Sequence, residues 1–363
     1  MGSKPQMNAQ NPPRVSIIVA CRNEITHIRR FLDSLLSQDM QDICWEAVLA
    51  DGLSDDGTRE ILDEYCSQHS QLRVLPNPGR IVSSGLNAAI RAARGDIIIR
   101  MDAHSWYATS YCRLCIETLE HTHADYVGGP VVAQAEGVLP RAVTAAFHSR
   151  FATGGSSRFR EPNYQGWVNT LPYGAWRKTT LEKIGLFDES LVRNQDDELN
   201  IRLLSAGGKI WQTPALRSWY SPRSRLSKLF HQYFQYGFWQ VPILRKHRNL
   251  SSWRKFVPVA FVFMNVTAVV TLIFGALDHS SSFRPILLLW LILLAAYLFL
   301  DLFASLLAAH RHGWDTLLYL PLIFCIYHLS FGLGFLVGFL RLALPEGKAF
   351  STSVDSAWTR LTR

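Results

Sequence analysis

The chain reads as an α/β domain followed by helices that enter a membrane. Three observations predict this. Short apolar, β-branched runs alternate with helix-spaced apolar residues between Val15 and Arg100, the pattern of strands and crossover helices wound into a parallel sheet. Polar residues gather just past the strand ends, as Asn23 and Glu24, Asp51, then Asp102 and His104; ligands of open α/β sheets bind at that edge. The last third holds three apolar runs long enough to cross a bilayer.

Taken in order, Val15 to Ala20 is the first strand, and Ile28, Phe31, Leu32, Leu35 and Leu36 recur behind it at helical spacing. Glu46 to Ala50 is the second strand, closed by Asp51-Gly52, and Ser54 to Thr58 makes a turn. Ile61, Leu62 and Tyr65 mark a helix face, Leu72 to Leu75 a third strand, and Leu86, Ala89, Ile90 and Ala93 another helix. Then comes Gly95-Asp96-Ile97-Ile98-Ile99-Arg100. Its three isoleucines predict a strand buried on both faces at the centre of the sheet. The run ends in Asp102 and His104, spaced i, i+2 and so on one side of an extended backbone. A carboxylate and an imidazole delivered there can share one divalent cation.

After Tyr107 the pattern loosens. Thr153 to Arg160 predicts a mobile loop, and Trp167 to Trp176 a small aromatic segment around Gly174. Leu186-Phe187-Asp188-Glu189 precedes Asn194-Gln195-Asp196-Asp197-Glu198-Leu199, which opens a helix ending at Gly207-Gly208. The organisation expected is a flexible tail at 1–13, a catalytic-type domain at 14–222, a basic amphipathic interfacial segment at 223–255, a membrane region at 256–340 and a tail at 341–363. The tail at 1–13 is polar and lacks the apolar core of a signal peptide. Spans are expected at about 256–277, 285–309 and 316–340. The first runs without a charge for about 33 Å as a helix. The second is interrupted by Asp301 alone, and the third carries Gly334-x-x-x-Gly338, which permits close helix contact. Trp253, Trp290 and Trp314 stand near the boundaries, where interfacial aromatics sit. Three crossings conflict with the basic residues Arg341, Lys348, Arg360 and Arg363 beyond the last one.

The net charge is +8, and its location decides its meaning. No acid occurs between Glu198 and Asp278, whereas Arg217, Arg223, Arg225, Lys228, Arg245, Lys246, Arg248, Arg254 and Lys255 all fall there. A basic collar directly before an apolar run is a cytoplasmic juxtamembrane signature. Membrane lipid is therefore the expected partner, and no nucleic acid. The six cysteines make no disulfide framework, and Cys112-x-x-Cys115 has no second pair to complete a zinc site.

Val15-Ser16-Ile17-Ile18-Val19, Asn23-Glu24, Asp51-Gly52-x-Ser54-x-Asp56-Gly57-Thr58, Gly95-Asp96 and Asp102-Ala103-His104, with Gly185-Leu186-Phe187-Asp188-Glu189 and Gln195-Asp196-x-Glu198-Leu199-x-x-Arg202 behind them, cover about 14 to 220 in register. Together they resemble an inverting family-two glycosyltransferase. The resemblance implies a GT-A fold, Rossmann-like, a nucleotide-sugar donor and inversion at the anomeric carbon. It implies that Asp102 and His104 hold Mg²⁺ or Mn²⁺ against the donor diphosphate, with His104 standing where the family carries a second carboxylate. Imidazole suits Mn²⁺ better than Mg²⁺; His104 bonding the diphosphate directly is the alternative. Asp51 and Glu24 would meet the nucleoside and Asp56 would shape its pocket, although Asp-Gly-Thr also serves as an ordinary helix cap. Arg80, after Pro78-Gly79, would contact the diphosphate.

Inversion needs a carboxylate opposite the leaving group to take the acceptor's proton. Local spacing does not choose among Asp196, Asp197 and Glu198; alignment with the family's acidic pair selects Asp196. The family's processive synthases carry Gln-x-x-Arg-Trp near Gln232, and its absence here favours single addition. The expected function is a membrane-bound transfer of a hexose, glucose from UDP-glucose, to a polyprenyl-diphosphate-linked saccharide in exopolysaccharide assembly. The catalytic domain would face the cytoplasm at the cell inner membrane. A processive synthase and a non-catalytic nucleotide-binding scaffold are the alternatives.

Overall fold

The computed structural model describes residues 12–153, 161–220, 225–247, 253–278 and 284–343. Most of the expected 1–13 tail, most of the loop at 153–160 and nearly all of the 341–363 tail fall outside the described residues. The chain divides into two compact units, Met1–Ala133 with Ser157–Ser221, and Gln134–Ser156 with Pro222–Arg363.

The first unit opens with β1 (Val15–Cys21), α1 (Ile28–Leu36), β2 (Trp45–Asp51), α2 (Thr58–Gln68), β3 (Leu72–Pro76), α3 (Val82–Ala92) and β4 (Ile97–Arg100). β5 (Ser105–Tyr107), α4 (Tyr111–Thr122), β6 (Tyr126–Gly128) and β7 (Val131–Ala133) follow. The chain then lends α5 (Val138–His148) and α6 (Arg150–Thr153) to the second unit, although both lie within the 14–222 stretch. It returns with β8 (Gly166–Val168), β9 (Ala175–Arg177), α7 (Lys178–Ile184), α8 (Gln195–Ser205), β10 (Ile210–Gln212) and β11 (Ser218–Tyr220).

The main sheet has the order β3-β2-β1-β4-β9-β6-β10-β8, and β5, β11 and β7 form a small second sheet. β3, β2, β1 and β4 are parallel, as the strand–helix alternation requires. Beyond β4 the sheet becomes mixed, because β9 enters antiparallel between β4 and β6. It reaches that slot through Gly174, where a Cβ would stand 2.0 Å from the Val127 carbonyl oxygen. The chain steps from β1 outward to β2 and β3, then to β4 on the other side. Asp51, Asp102 and the loop after β1 therefore meet at a reversal of strand order, where open sheets bind ligands.

At the opposite, amino-terminal ends of these strands lies a charge network. Glu46, 1% exposed, accepts hydrogen bonds from Ser16 Oγ at 2.8 Å, from the Arg94 backbone N–H at 2.7 Å and from Arg94 Nη2 at 2.8 Å. The Gly95 N–H donates to Ser16 Oγ at 2.8 Å, and a Cβ on Gly95 would lie 2.7 Å from the Ser16 nitrogen. The Gly95-Asp96 pair thus marks where two backbones touch. The core between sheet and helices contains Ile18, Val48, Leu86, Ile98 and Leu199, and Trp176 stacks on Tyr126 at 4.0 Å. Cys112 and Cys115 are buried on α4, and burial pushes both thiols up. They are core residues.

The second unit adds α9 (Leu226–His247), α10 (Val257–Asp278), α11 (Arg284–His312) and α12 (Leu320–Ala343). The last three are long and apolar enough to cross a membrane. The alanine face of α5 (Ala142, Ala145, Ala146) buries against Leu320, Ile323 and Phe324 of α12. Such a face requires a large apolar partner, which explains why 134–156 groups with the helices.

Candidate active site

Three strand-end loops build the site, each turning on a residue in the left-handed region: Asn23 after β1, Leu53 after β2 and Arg80 after β3. Asn194, just before α8, is a fourth. Non-glycine residues adopt this conformation where the surroundings impose it, and such positions concentrate at functional sites.

Asp51 ends β2 and is 1% exposed. Its Oδ1 accepts from Ser54 Oγ at 2.6 Å, which ties the Asp51-to-Ser54 turn into one piece. Asp56 accepts from the N–H groups of Thr58 at 3.0 Å and Ile25 at 3.1 Å, and from Thr58 Oγ1 at 2.6 Å. Against the opposing effect of burial, these bonds hold the Asp56 carboxyl below its usual range. Asp56 thus starts α2 and clips the loop after β1 to it. The Glu24 carboxylate lies 3.9 Å from Nδ1 of the half-exposed His104. Arg80 is exposed, and its N–H donates to the Asn77 carbonyl at 3.0 Å.

The centre of the site is Arg100, the last residue of β4 and 3% exposed. Its Nε donates to Asp102 Oδ1 at 2.9 Å, its Nη1 to Asp196 Oδ1, and its guanidinium lies 5.8 Å from the centre of the Phe187 ring. One buried cation therefore joins Asp102, two residues past it on the loop after β4, with Asp196 from α8. The Asp102 N–H donates to the Tyr107 hydroxyl at 2.8 Å, which orients the residue from behind. Burial raises the Asp196 carboxyl, Arg100 opposes it and the Asp102 charge adds to it, leaving the group at about 6. A carboxylate poised near neutrality suits a general base.

The structure separates three acids that local spacing leaves equivalent. Asp196 faces Arg100. Asp197 accepts from Thr170 Oγ1 at 2.9 Å. Glu198 is fully buried and takes Arg202 Nε at 2.9 Å and Nη2 at 2.7 Å; the same guanidinium donates to the carbonyls of Ile184, Gly185 and Leu186, each at 2.7 Å. The Glu198–Arg202 half of the motif thus locks the turn after α7, which carries Phe187 under Arg100. Sequence reasoning missed Arg100. The available signal was an arginine closing a strand of three isoleucines, since a cation on so apolar a strand must find buried partners.

Among the described residues no group of three or more His, Cys, Asp and Glu side chains is gathered for a metal. The chain turns after β4, the Ser105 N–H donating to the Asp102 carbonyl at 3.0 Å. Asp102 and His104 therefore do not stand on an extended strand as their i, i+2 spacing predicts; they still supply a carboxylate and an imidazole from one loop. That donor set fits a cation shared with a diphosphate rather than one caged by protein alone.

Residues 16–185 match Glycosyl transferase family 2. The chain is 33% identical over 263 residues to the succinoglycan biosynthesis protein ExoA of Rhizobium meliloti (strain 1021), covering 72% of this chain and 77% of that one. It is 26% identical over 265 residues to the dolichyl N-acetyl-alpha-D-glucosaminyl phosphate 3-beta-D-2,3-diacetamido-2,3-dideoxy-beta-D-glucuronosyltransferase of Methanococcus voltae, covering 71% and 81%. Among solved structures, mannosyltransferase PcManGT from Pyrobaculum calidifontis, in complex with GDP-Man and Mn²⁺, aligns with a TM-score of 0.55 at 19% identity over 90% of this chain and 88% of that one. That likeness bears on the fold, which is GT-A-like. The chain belongs to glycosyl transferase family 2.

Proposed function

We propose that this protein is an inverting hexosyltransferase of the cell inner membrane, moving glucose from UDP-glucose to a polyprenyl-diphosphate-linked saccharide during exopolysaccharide assembly. The observation that carries the chemistry is the pairing of Asp196 and Asp102 through one buried arginine. Asp196 takes the proton of the acceptor hydroxyl as its oxygen attacks the anomeric carbon from the face opposite the diphosphate. One displacement suffices, so no covalent sugar intermediate forms. Arg100 holds the two carboxylates in register; Phe187 lies against its guanidinium, and Tyr107 fixes Asp102 through its backbone N–H.

Asp102 and His104 would hold Mn²⁺ or Mg²⁺, which when bound offsets the negative charge growing on the leaving diphosphate. Asp51 and Glu24 meet the nucleoside, Arg80 the diphosphate, and Asp56 shapes the loop that carries them. Support for a lipid-linked acceptor comes from the three apolar helices and from the archaeal relative, whose name specifies a dolichyl-phosphate-linked sugar. Support for polysaccharide assembly comes from the succinoglycan protein. The basic collar before α10 argues for a cytoplasmic catalytic unit.

The test is a screen of UDP-, GDP- and dTDP-sugars with Mn²⁺ and an undecaprenyl-diphosphate saccharide in membranes holding the full chain. One sugar should be added from UDP-glucose. Turnover with a different nucleotide would replace the donor, and long polymers on a defined acceptor would replace single addition with processive synthesis. No turnover by the wild type with any donor, where UDP binds, would overturn the catalytic reading.

A further inference from the structure

Three helices of the second unit have the length to cross a bilayer, yet they differ in how they are covered. Of the most apolar window in each, 17% of α10 and 6% of α11 is buried, against 50% of α12. Phe263, Phe274, Leu288 and Phe299 stand out from α10 and α11, each at least 58% exposed. Faces of that kind are finished by acyl chains. α12 has a different neighbour.

That neighbour is α9, and the two backbones touch. A Cβ on Gly237 would lie 2.0 Å from the Phe331 carbonyl oxygen; one on Gly334, 2.0 Å from that of Phe234; one on Gly338, 2.8 Å from that of Phe238. Small residues that allow such approach make tight helix pairs. Tyr233 against Tyr327, Gly237 against Phe331 and Phe238 against Gly338 advance in the same direction, so the helices run side by side along most of their length. α9 carries Lys228, His231, Gln232, Gln235 and Gln240, with Arg245, Lys246 and His247 in its last turn and no acid. A helix with cations at both ends and amides between them belongs along an anionic surface. If α9 stays there, α12 stays with it.

The other contacts of α12 agree. It meets α10 at Phe256, just ahead of that helix, and at Pro258 and Val262 in its first turns. It meets α11 from Tyr297 and Asp301 at the middle of that helix to Ala308 and Ala309 near its carboxyl-terminal end. Both places lie toward the open end of the α10–α11 hairpin. α5 and α6, which leave and rejoin the catalytic unit, touch the same end: Arg141 pairs with Asp315 at 2.6 Å, and the Phe151 carbonyl oxygen lies 3.0 Å from His328 Nε2.

Building on the membrane reading above, we propose that α10 and α11 alone cross the bilayer, while α9 and α12 lie together on the face that bears the catalytic unit, as a platform resting on anionic lipid headgroups. This removes the conflict noted in the sequence. Arg254 and Lys255 before α10, Arg311 at the end of α11 and Arg341 at the end of α12 then all fall on one side, as the positive-inside rule demands. Leu322, Phe339 and Leu340, exposed on α12, dip into the acyl boundary beside the headgroups.

The experiment places single cysteines in the full chain at Glu117 on α4, at Arg284 at the start of α11 and at Leu342 near the end of α12. The half-buried Cys44, Cys66 and Cys325 are replaced by serine. A membrane-impermeant maleimide is applied to sealed cells and to inverted vesicles. Glu117→Cys and Leu342→Cys should label in inverted vesicles and lose labelling in sealed cells, and Arg284→Cys should do the reverse. Leu342→Cys labelling with Arg284→Cys, or from both sides, overturns the proposal, as does Arg284→Cys labelling with Glu117→Cys. An epitope at the carboxyl terminus of the otherwise unaltered chain, probed with protease in both preparations, gives the same readout should the cysteine variants fold poorly. Sugar transfer measured in the same membranes separates the two readings: activity with an opposite-side Leu342 sinks the platform and leaves the transferase intact.

Discussion

The two ends of the parallel strands carry charge networks of opposite design. At the amino-terminal end the acid is inside: Glu46 is 1% exposed, and its partners Arg73 and Arg94 reach it with side chains 41% and 50% exposed. At the carboxyl-terminal end the cation is inside: the Arg100 side chain is 4% exposed, and Asp102 and Asp196 lie outside it at 18% and 24%. The first arrangement surrounds its carboxylate with donors and leaves nothing for a ligand. The second keeps two acids in place and leaves both partly exposed at the strand ends. Buried charge of the first kind holds a fold together, and of the second kind prepares a site.

The largest effect expected from this contrast is on turnover. Asp196→Asn keeps the shape and removes the proton acceptor, so kcat of the folded fraction should fall by about 10²–10⁴, with UDP affinity unchanged. A loss below tenfold in transfer of labelled sugar would move the base elsewhere, Asp197 first. Glu46→Gln should behave in the opposite way. It weakens the hydrogen bonds from Arg94 and Ser16 and should cost about 1–3 kcal/mol in denaturant unfolding, while kcat of the folded fraction stays at the wild-type value. A Glu46 variant with full stability and poor turnover would erase the distinction between the two ends.

How much of this was legible before the structure follows from the range of the interactions. β1 to β4 and their helices announce themselves because periodicity is local, and Asp51, Asp102 and Asp196 stand where strands and helices begin or end. Arg100 stayed hidden because its partners lie 2 and 96 positions away, and only the second makes it a bridge. Glu198 had an i, i+4 partner in Arg202 that the local spacing does show. What no local window shows is that the same guanidinium also ties down the carbonyls of Ile184, Gly185 and Leu186. α9 read correctly as aromatic and basic, but Gly237 gave no hint that its missing side chain receives a carbonyl of α12. Likewise, the antiparallel insertion of β9 depends on Gly174 meeting Val127, a contact that no window of sequence contains.

The acids of the two ends should also differ in the sign of their pH dependence. Burial raises the Glu46 carboxyl, but the bonds from Arg94 and Ser16 outweigh it and leave the group below its ordinary 4.5. The folded state therefore binds the Glu46 proton less readily than the unfolded chain. Its stabilisation is present above 4.5 and is lost as pH falls through the lower folded value. Asp196 is raised from 3.8 to about 6. The folded state holds this proton more tightly, so its contribution favours folding below 3.8 and weakens as pH rises through 6. For activity the direction reverses, because the base works only when ionised: kcat/KM should rise with pH to a plateau above about 6. That acid limb should vanish from the residual activity of Asp196→Asn. A limb persisting unchanged in that variant would belong to another group.

The smallest effect sharpens the comparison inside the site itself. Asp56 stands in the loop that approaches the donor, yet its oxygens are spent on Thr58 and on the N–H of Ile25. It resembles Glu46 in being surrounded by its own donors, although it lies at the opposite end of the sheet. Asp56→Ala should therefore cost about 1 kcal/mol, the usual loss on removing a side-chain acceptor from a helix start. The KM for the nucleotide sugar should stay within about twofold, a difference below 0.5 kcal/mol. Equilibrium unfolding and donor titration on the same preparation separate the two quantities. A tenfold rise in KM with unchanged stability would mean that Asp56 gives up these bonds to hold the donor, and position at the carboxyl end of the sheet would then outweigh local satisfaction as the mark of a binding residue.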